Sequence, residues 1–508
     1  MQKSWPVIVL FVIAGVLRLY NLGYSDYQGD EIKALYNPKE DASVRFFLEQ
    51  RKGPMQFLVT ASLKNLSNNY RNRWLVRLPF ALAGLGSVIV FYYLSKSLFN
   101  EKIAFYSSIF FSTNGFLIAF SRIAQYQSLV IFFGLLAIYL TKKYADSLRL
   151  RYLIMASISL AVSILSHYDG VFFIPIIFGI FYPLWRTSIK PFVVSVLLFL
   201  ILTSVFYIPF VLNIAQSTTD YWAGRITGDV SGKISNSRYL FSVYQPIYVL
   251  HVYTILGLVG FGLLFFITLY KIFPGLVSKV VKRAYKLDSF NAIHTKFKAS
   301  TILAVLVWFL IPFVLLEKVI YIPGTHIYTY LIPVFLMMGF AVFHADLISR
   351  KILKGFSTAF VIGIWLLFIF LSLQSYYVFV DHKYEYPWEN KKFLIWTFPK
   401  PTPIFHLSMF GFPYYRHWDE IGDFIKTDGK ASFYTTNERV SISRYHIDLG
   451  KDGDKAGYYV YIMNPQTFTN EITNKRIEAW IKDNSPILEY ENQGRVVSQI
   501  YLVNSLTQ

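Results

Sequence analysis

About eleven mostly apolar stretches dominate this chain, and they dictate that its solvent is a lipid bilayer. A spanning helix needs about 20 predominantly apolar residues. The candidates are 5–22, 79–98, 103–120, 127–143, 152–167, 170–186, 190–213, 246–271, 300–317, 326–346 and 356–380. Charged residues are only 16% of the chain, against about 25% in a soluble domain. They are scarce before roughly residue 380 and abundant after it. The expectation is an all-α polytopic membrane domain over 1–380, followed by a small water-exposed α/β domain over 381–508.

Loop charge sets the expected orientation. Met1-Gln2-Lys3 precedes an apolar run with no A-x-A cleavage site after it, which reads as a retained first helix with a cytoplasmic N-terminus. The inner connections then hold Lys102; Lys142, Lys143, Arg149 and Arg151; Arg186 and Lys190; Lys271 through Lys298; and Arg350, Lys351 and Lys354. That pattern obeys the positive-inside rule. An odd number of spans puts the C-terminal domain outside, in a plasma membrane. The formal net charge of +19 is accounted for by these loops, and nucleic acid is not an expected partner. With no cysteine, disulfides, thiolate nucleophiles and Cys-ligated zinc are excluded.

The outer loop 23–78 breaks the charge rule. It carries Lys33, Arg45, Arg51, Lys52, Lys64, Arg71, Arg73 and Arg77 alongside six acids. Two helical patterns, 30–37 and 54–66, are too short to cross and are expected along the interface. A second outer loop, 214–245, is polar and includes Tyr221, Trp222, Arg225, Lys233 and Arg238; it reads as a lid. In the C-terminal segment, 416–427 and 471–484 look helical. Runs 431–436, 457–463 and 496–503 look β-like, and Asn492-Gln493-Gly494 is a turn between two of the strand-like runs.

Asp30-Glu31 is the sharpest polar feature. A carboxylate there could act as general base, hold a divalent cation with its neighbour, or simply favour a helix N-terminus. Arg51-Lys52-Gly53-Pro54 closes the same loop, and a lysine beside a helix start suits phosphate. Ser121-Arg122-Ile123-Ala124-Gln125-Tyr126 forms the next outer turn, where an arginine binds either a phosphate or lipid headgroups. His167-Tyr168-Asp169-Gly170 breaks two apolar runs, and His326 lies in another outer turn. Asp452-Gly453-Asp454 has the D-x-D form, but in a Lys- and Gly-rich turn it reads as surface.

These pieces occur in an order that resembles the polytopic GT-C glycosyltransferases, and among them the protein O-mannosyltransferases and the lipid A aminoarabinose transferases. The likeness is carried by Arg18-Leu19-Tyr20-Asn21-Leu22-Gly23, Asp30-Glu31, Lys52-Gly53-Pro54-Met55-Gln56-Phe57-Leu58, Arg77-Leu78-Pro79-Phe80-Ala81-Leu82-Ala83-Gly84, and Ser121 through Leu129. It is good over about 5–210 and looser beyond. Many relatives have His-Pro-Pro or Lys-Pro-Pro where this chain has Lys52-Gly53-Pro54. The aspartate that follows the arginine of the next outer loop in aminoarabinose-transferase-like relatives is absent, and so is the Trp-Trp-Asp signature of oligosaccharyltransferases.

The resemblance implies a polyprenyl-phosphate-linked sugar donor and transfer of one hexosyl or pentosyl unit, with inversion, to an acceptor hydroxyl on protein, lipid or glycan outside the membrane. In that reading Asp30 is the base and Glu31 supports it. Lys52, Arg122 and His326 hold the donor phosphate, and Tyr126, Gln125, His167 and Trp222 line the sugar or acceptor side. No cofactor is certain, and a divalent metal at Asp30-Glu31 remains open. A transporter or flippase for lipid-linked sugars is the alternative. The expectation on which the chemistry rests is that Asp30, Lys52 and Arg122 converge in one outer-leaflet pocket.

Overall fold

The computed structural model describes residues 5–38, 44–229, 250–273, 297–352, 357–383, 385–386, 392–393, 396–397, 410–455, 457–465 and 471–503. Among these, seven helices are long and apolar enough to cross a membrane, and eight if the bent pair Glu101–Thr113 and Gly115–Ser121 forms one span. Three further apolar helices are shorter: Trp5–Leu19, Leu150–Ser166 and Tyr168–Leu184. Every expected stretch falls on one of these helices. Among the described residues, length and composition qualify seven of the eleven, or eight with the bent pair. A helix of 15 to 17 residues rises only about 25 Å, short of the roughly 30 Å hydrocarbon core. The chain is a multi-pass membrane protein.

Side-chain caps punctuate the helices where the sequence places asparagine. Asn72 accepts from Leu75 N at 3.1 Å to start Arg73–Leu98, and Asn100 accepts from Ile103 N at 2.9 Å to start Glu101–Thr113. Asn114 then breaks the apolar run. Its backbone is extended, and its side chain caps Phe116 and Leu117, so the two halves meet at 61°. This bend delivers the turn after Ser121 to the outer-loop side of the helices. Helix Gln127–Ser147 packs between Leu150–Ser166 and Arg73–Leu98, while Tyr328–Ile352 packs on Glu101–Thr113 and Leu250–Ile272.

The outer loop contains a one-turn helix Gly29–Ile32, then Val44–Leu48 and Met55–Leu63. The second of these lacks an apolar pattern long enough to be read from sequence. The expected polar lid starts instead as a helix, Gln216–Thr227; residues 230–245 of that loop, with Lys233 and Arg238, lie outside the described residues.

The C-terminal region contains a small hairpin, β1 (Lys392–Phe393) with β2 (Trp396–Thr397), and a five-stranded sheet. The sheet strands are β3 (Phe433–Thr436), β4 (Gly450–Lys451), β5 (Gly457–Ile462), β6 (Leu488–Asn492) and β7 (Arg495–Val503), in the order β4-β3-β5-β7-β6. β3 runs parallel to β4 and β5, whereas β7 is antiparallel to β5 and β6. Helices Trp418–Asp428 and Glu471–Ile481 match the two helical patterns; a third, Val440–His446, was not legible. Asp452-Gly453-Asp454 is a turn in which Asp452 accepts from Asp454 N and pairs with Lys455.

This sheet region is locked onto the outer loop by buried polar contacts. Asp26 accepts from Arg416 N at 2.6 Å and pairs with Arg73 at 2.9 Å; Arg73 also reaches Asp419 at 2.5 Å. Arg416 pairs with Glu385 at 2.6 Å, and Tyr24 donates to the same carboxylate at 2.8 Å.

Candidate active site

Adjacent side chains on one helical turn point about 100° apart, and at Asp30-Glu31 this separates two roles. Glu31 turns inward and is fully buried. Its oxygens accept from Arg77 Nε at 2.7 Å and Nη2 at 2.8 Å, and from the backbone N–H of Ala124 at 2.8 Å. Arg77 spends its remaining donors on the carbonyls of Leu22, Ser25 and Asp26. Glu31 is thus a strut joining the outer loop, the helix Arg73–Leu98 and the 121–126 turn. Three of its roughly four acceptor sites are taken by these bonds, which ties the carboxylate to Arg77 and Ala124 rather than to Asp30.

Asp30 keeps a partly open carboxylate, 27% exposed. Gln28 caps its N–H at 2.8 Å, holding the turn. Lys33 approaches it at 3.4 Å and Arg439, from the sheet region, at 3.6 Å. Burial pushes this carboxyl up, but Lys52, Arg439 and Lys33 together hold it below the usual carboxylate range. Of these charges Lys52 acts most strongly.

Lys52 is placed by Gly53. Gly53 donates to Gln50 O at 2.9 Å and adopts φ +100°, and a Cβ there would lie 2.2 Å from the carbonyl oxygen of Leu165. The chain therefore lies against the end of helix Leu150–Ser166, with Lys52 Nζ 5.2 Å from the centre of the Tyr126 ring. Burial lowers the Lys52 ammonium pKa and Asp30 draws it back up. Gly53→Ala is expected to cost about 1–3 kcal/mol in backbone strain and to displace Lys52. Thermal unfolding checks this; an unchanged melting point would contradict the placement.

From Lys52 a continuous set of contacts runs through four more segments. Tyr126 stacks on His167 at 4.0 Å between ring centres. His167 Nδ1 lies 3.2 Å from both the backbone nitrogen and a carboxylate oxygen of Asp169. Asp169, 1% exposed, accepts from Tyr328 OH at 2.8 Å and from His326 Nδ1 at 2.7 Å. Arg225 can only donate, and its Nη1 faces His326 Nε2 at 3.4 Å. With Asp169 accepting at Nδ1 and Arg225 donating toward Nε2, the neighbours orient an Nδ1–H toward the carboxylate. Arg225 also donates to Ile322 O at 2.6 Å and to Tyr221 OH at 3.2 Å, and the Arg51 guanidinium lies 3.8 Å from the centre of the Tyr221 ring. Trp222 meets the edge of Tyr168, whose ring covers both His167 and His326.

The ligand atoms of His167, Asp169 and His326 lie within 4.8 Å of one another and could hold a metal ion. A cation there would have to displace the Nδ1 proton of His326. This trio, rather than Asp30-Glu31, has the donor set for a metal.

Of the residues expected at the site, Asp30, Lys52, Tyr126, His167, Trp222 and His326 are brought into this one assembly. Arg122 is not. Its Nη1 donates to Leu17 O at 3.1 Å and Tyr20 O at 2.9 Å, and its Nη2 to Asn21 O at 3.2 Å. Arg122 therefore caps the C-terminal end of the first helix, where a cation meets orphan carbonyls and the negative end of the dipole. The expected three-way convergence reduces to Asp30 with Lys52, and Arg122 takes a structural post. Gln125 is buried beside the Glu31 strut, bonded through its backbone N–H to Ile123 O. Sequence reasoning missed Arg225 and Asp169 as site members. The i,i+4 spacing of Tyr221 and Arg225 on one helix was the available signal for the first, and the polar turn His167-Tyr168-Asp169-Gly170 between two apolar runs was the signal for the second.

The molecule so far is a polytopic helical membrane protein with a cluster of aromatic and basic side chains beside an appended α/β unit. Residues 51–208 match the family model described as Dolichyl-phosphate-mannose-protein mannosyltransferase. No curated protein matches. Among solved structures the chain is similar to ArnT from Cupriavidus metallidurans bound to undecaprenyl phosphate, at 12% identity and TM-score 0.51, with 100% of both chains covered. It is also similar to the archaeal oligosaccharyltransferase AglB from Archaeoglobus fulgidus in complex with an inhibitory peptide and a dolichol-phosphate, at 11% identity and TM-score 0.47, over 91% of this chain and 70% of that one. The Saccharomyces cerevisiae Pmt1-Pmt2 complex bound to the sugar donor matches at 20% identity and TM-score 0.32, over 47% of this chain and 36% of that one. The end-to-end likeness to ArnT shows that this chain has the fold of the GT-C glycosyltransferases.

Proposed function

We propose that this protein transfers a single sugar from a polyprenyl-phosphate donor to an acceptor hydroxyl on the extracytoplasmic side, with inversion at the anomeric carbon. The observation that carries the reading is a partly open carboxylate, Asp30, contacted by Lys33 and Arg439 and within the electrostatic reach of Lys52, which lies over Tyr126 in an assembly that also holds Arg51 and Arg225. Four basic residues that include Lys33 against one open carboxylate make this an anion site, and Lys52 suits a phosphate as a point charge.

The donor phosphate binds at Lys52, with Arg51 and Arg225 adding to the positive field. Neutralising Lys52 removes the strongest charge that holds the Asp30 carboxyl down. Donor binding thereby makes Asp30 a better base when one is needed. The acceptor oxygen attacks the anomeric carbon while its proton passes to Asp30. The bond from that carbon to the phosphate oxygen breaks, and the electron pair leaves on the lipid phosphate, where Lys52 stabilises the added charge. Tyr126, His167 and Trp222 offer ring faces and edges for the sugar. The orientation follows from the loop charges: inner loops basic, N-terminus cytoplasmic, and the sheet region outside.

Incubating the purified protein with polyprenyl-phosphate sugar and acceptor is expected to release lipid phosphate in step with transferred sugar. Movement of intact donor across a vesicle membrane with no lipid phosphate formed would point to a transporter instead. Lys52→Ala is expected to raise the donor KM at least about 10-fold, as loss of a charge-assisted phosphate contact should, with a smaller effect on acceptor KM. An unchanged donor KM would remove Lys52 from the phosphate site.

A further inference from the structure

The C-terminal sheet region reaches the reacting carboxylate. Arg439 directly precedes helix Val440–His446 and follows β3, and its Nη2 lies 3.6 Å from Asp30 Oδ1. Its backbone is firmly held. The Arg439 N–H donates to Glu438 Oε1 at 2.8 Å; Glu438 is fully buried and accepts from Tyr414 OH at 2.8 Å. Asn437, one residue earlier, bonds both ways with the β5 residue Ile462 at 2.8 Å. The arginine thus projects from the carboxyl end of a central parallel strand, where loops of an α/β sheet commonly present functional groups.

A second observation lies on the other side of the contact. A Cβ on Gly29 would sit 2.6 Å from Ser441 Oγ and 3.0 Å from both the Arg439 Cδ and Nη1. The absence of a side chain at Gly29 is what lets this short helix close over Asp30. The charged groups acting on Asp30 are Lys52 and Lys33 from the outer loop and Arg439 from the sheet region, and the Tyr126 hydroxyl also senses its charge.

We propose that Arg439 is a positioning residue for Asp30, so that the C-terminal domain completes the acceptor side of the transfer site rather than merely covering it. This rests on the sugar-transfer reading given above. Arg439 orients the carboxylate and keeps it ionised while the donor occupies Lys52. An incoming acceptor hydroxyl meets an oxygen already aimed by the guanidinium.

The test compares wild type, Arg439→Ala, Arg439→Lys and Gly29→Ala in full-length protein, reading kcat, both KM values and the pH profile. Misplacing a catalytic group by about 1 Å costs on the order of 100-fold, so Arg439→Ala is expected to lose about 10- to 100-fold in kcat with donor KM unchanged. Its acid limb should move to higher pH, because one of three cations depressing Asp30 is gone. Arg439→Lys should recover part of the rate. Gly29→Ala, which wedges the helix away and leaves the arginine intact, should repeat the kcat loss. Wild-type kcat and pH profile in Arg439→Ala would overturn the proposal, as would a loss in kcat with no movement of the acid limb. If instead wild type releases no lipid phosphate, the sugar-transfer reading itself fails, whatever Arg439 does.

Discussion

Asp30→Asn is expected to abolish transfer while leaving the fold intact. The amide is isosteric and sits on a partly open surface, so folding loses only modest contacts with Lys33 and Arg439. Chemistry loses its proton acceptor, and a positioned general base contributes about 10²–10⁴-fold. The pH profile adds a signed check. Asp30 is held below the ordinary carboxylate range in the free protein, so kcat/KM should fall only at a pH below that range. Where folding is concerned, a depressed carboxyl contributes stability present above its unfolded value and lost as pH falls through the folded one. Asp30→Asn should remove that contribution together with the activity. Turnover assays beside thermal unfolding check this; wild-type turnover in the amide variant would remove Asp30 from the reaction.

The next residue should behave in the opposite way. Glu31→Gln or Arg77→Ala breaks a bidentate pair in which both side chains are almost wholly buried. Removing one partner leaves an uncompensated charge and costs about 3–5 kcal/mol, a large share of a typical total of about 5–15 kcal/mol. The expected result is a sharply lower melting temperature and poor recovery from membranes, with any surviving protein retaining donor selectivity. Replacing both partners together, as Glu31→Gln with Arg77→Met, should recover part of the lost stability, because no bare charge remains. A Glu31→Gln protein that melts like wild type yet fails to turn over would contradict the structural role and return Glu31 to catalysis.

This contrast shows how far the sequence could be read. Asp30-Glu31 is legible as an acidic pair beside a membrane, but which acid stays partly open depends on Arg77, 46 residues away along the chain, and on an N–H at Ala124. Arg122 presented the same difficulty. Its place in an outer turn was readable, but its partners are three carbonyls of the first helix, and no spacing rule encodes that pairing. The apolar stretches were legible because a bilayer imposes a one-dimensional constraint. The Asn492-Gln493-Gly494 turn was legible because its local chemistry requires positive φ, seen at Gln493 and Gly494. Helices Val44–Leu48, Gln216–Thr227 and Val440–His446 were not, being short or polar and held by tertiary contacts rather than by periodicity. Arg439 was the least accessible member. It lies 409 positions from Asp30, and the packing of Ser441 against Gly29 brings the two together.

The central claim is that a donor phosphate sits on Lys52 with its sugar facing Asp30. A structure with a non-transferable polyprenyl-phosphonate sugar bound addresses it most directly. The account expects the phosphonate within hydrogen-bond reach of Lys52 Nζ, Arg122 still on the carbonyls of the first helix, and the anomeric carbon open toward Asp30 on the face away from the phosphonate. A phosphonate held elsewhere, with Lys52 left over the Tyr126 ring as before, would contradict it.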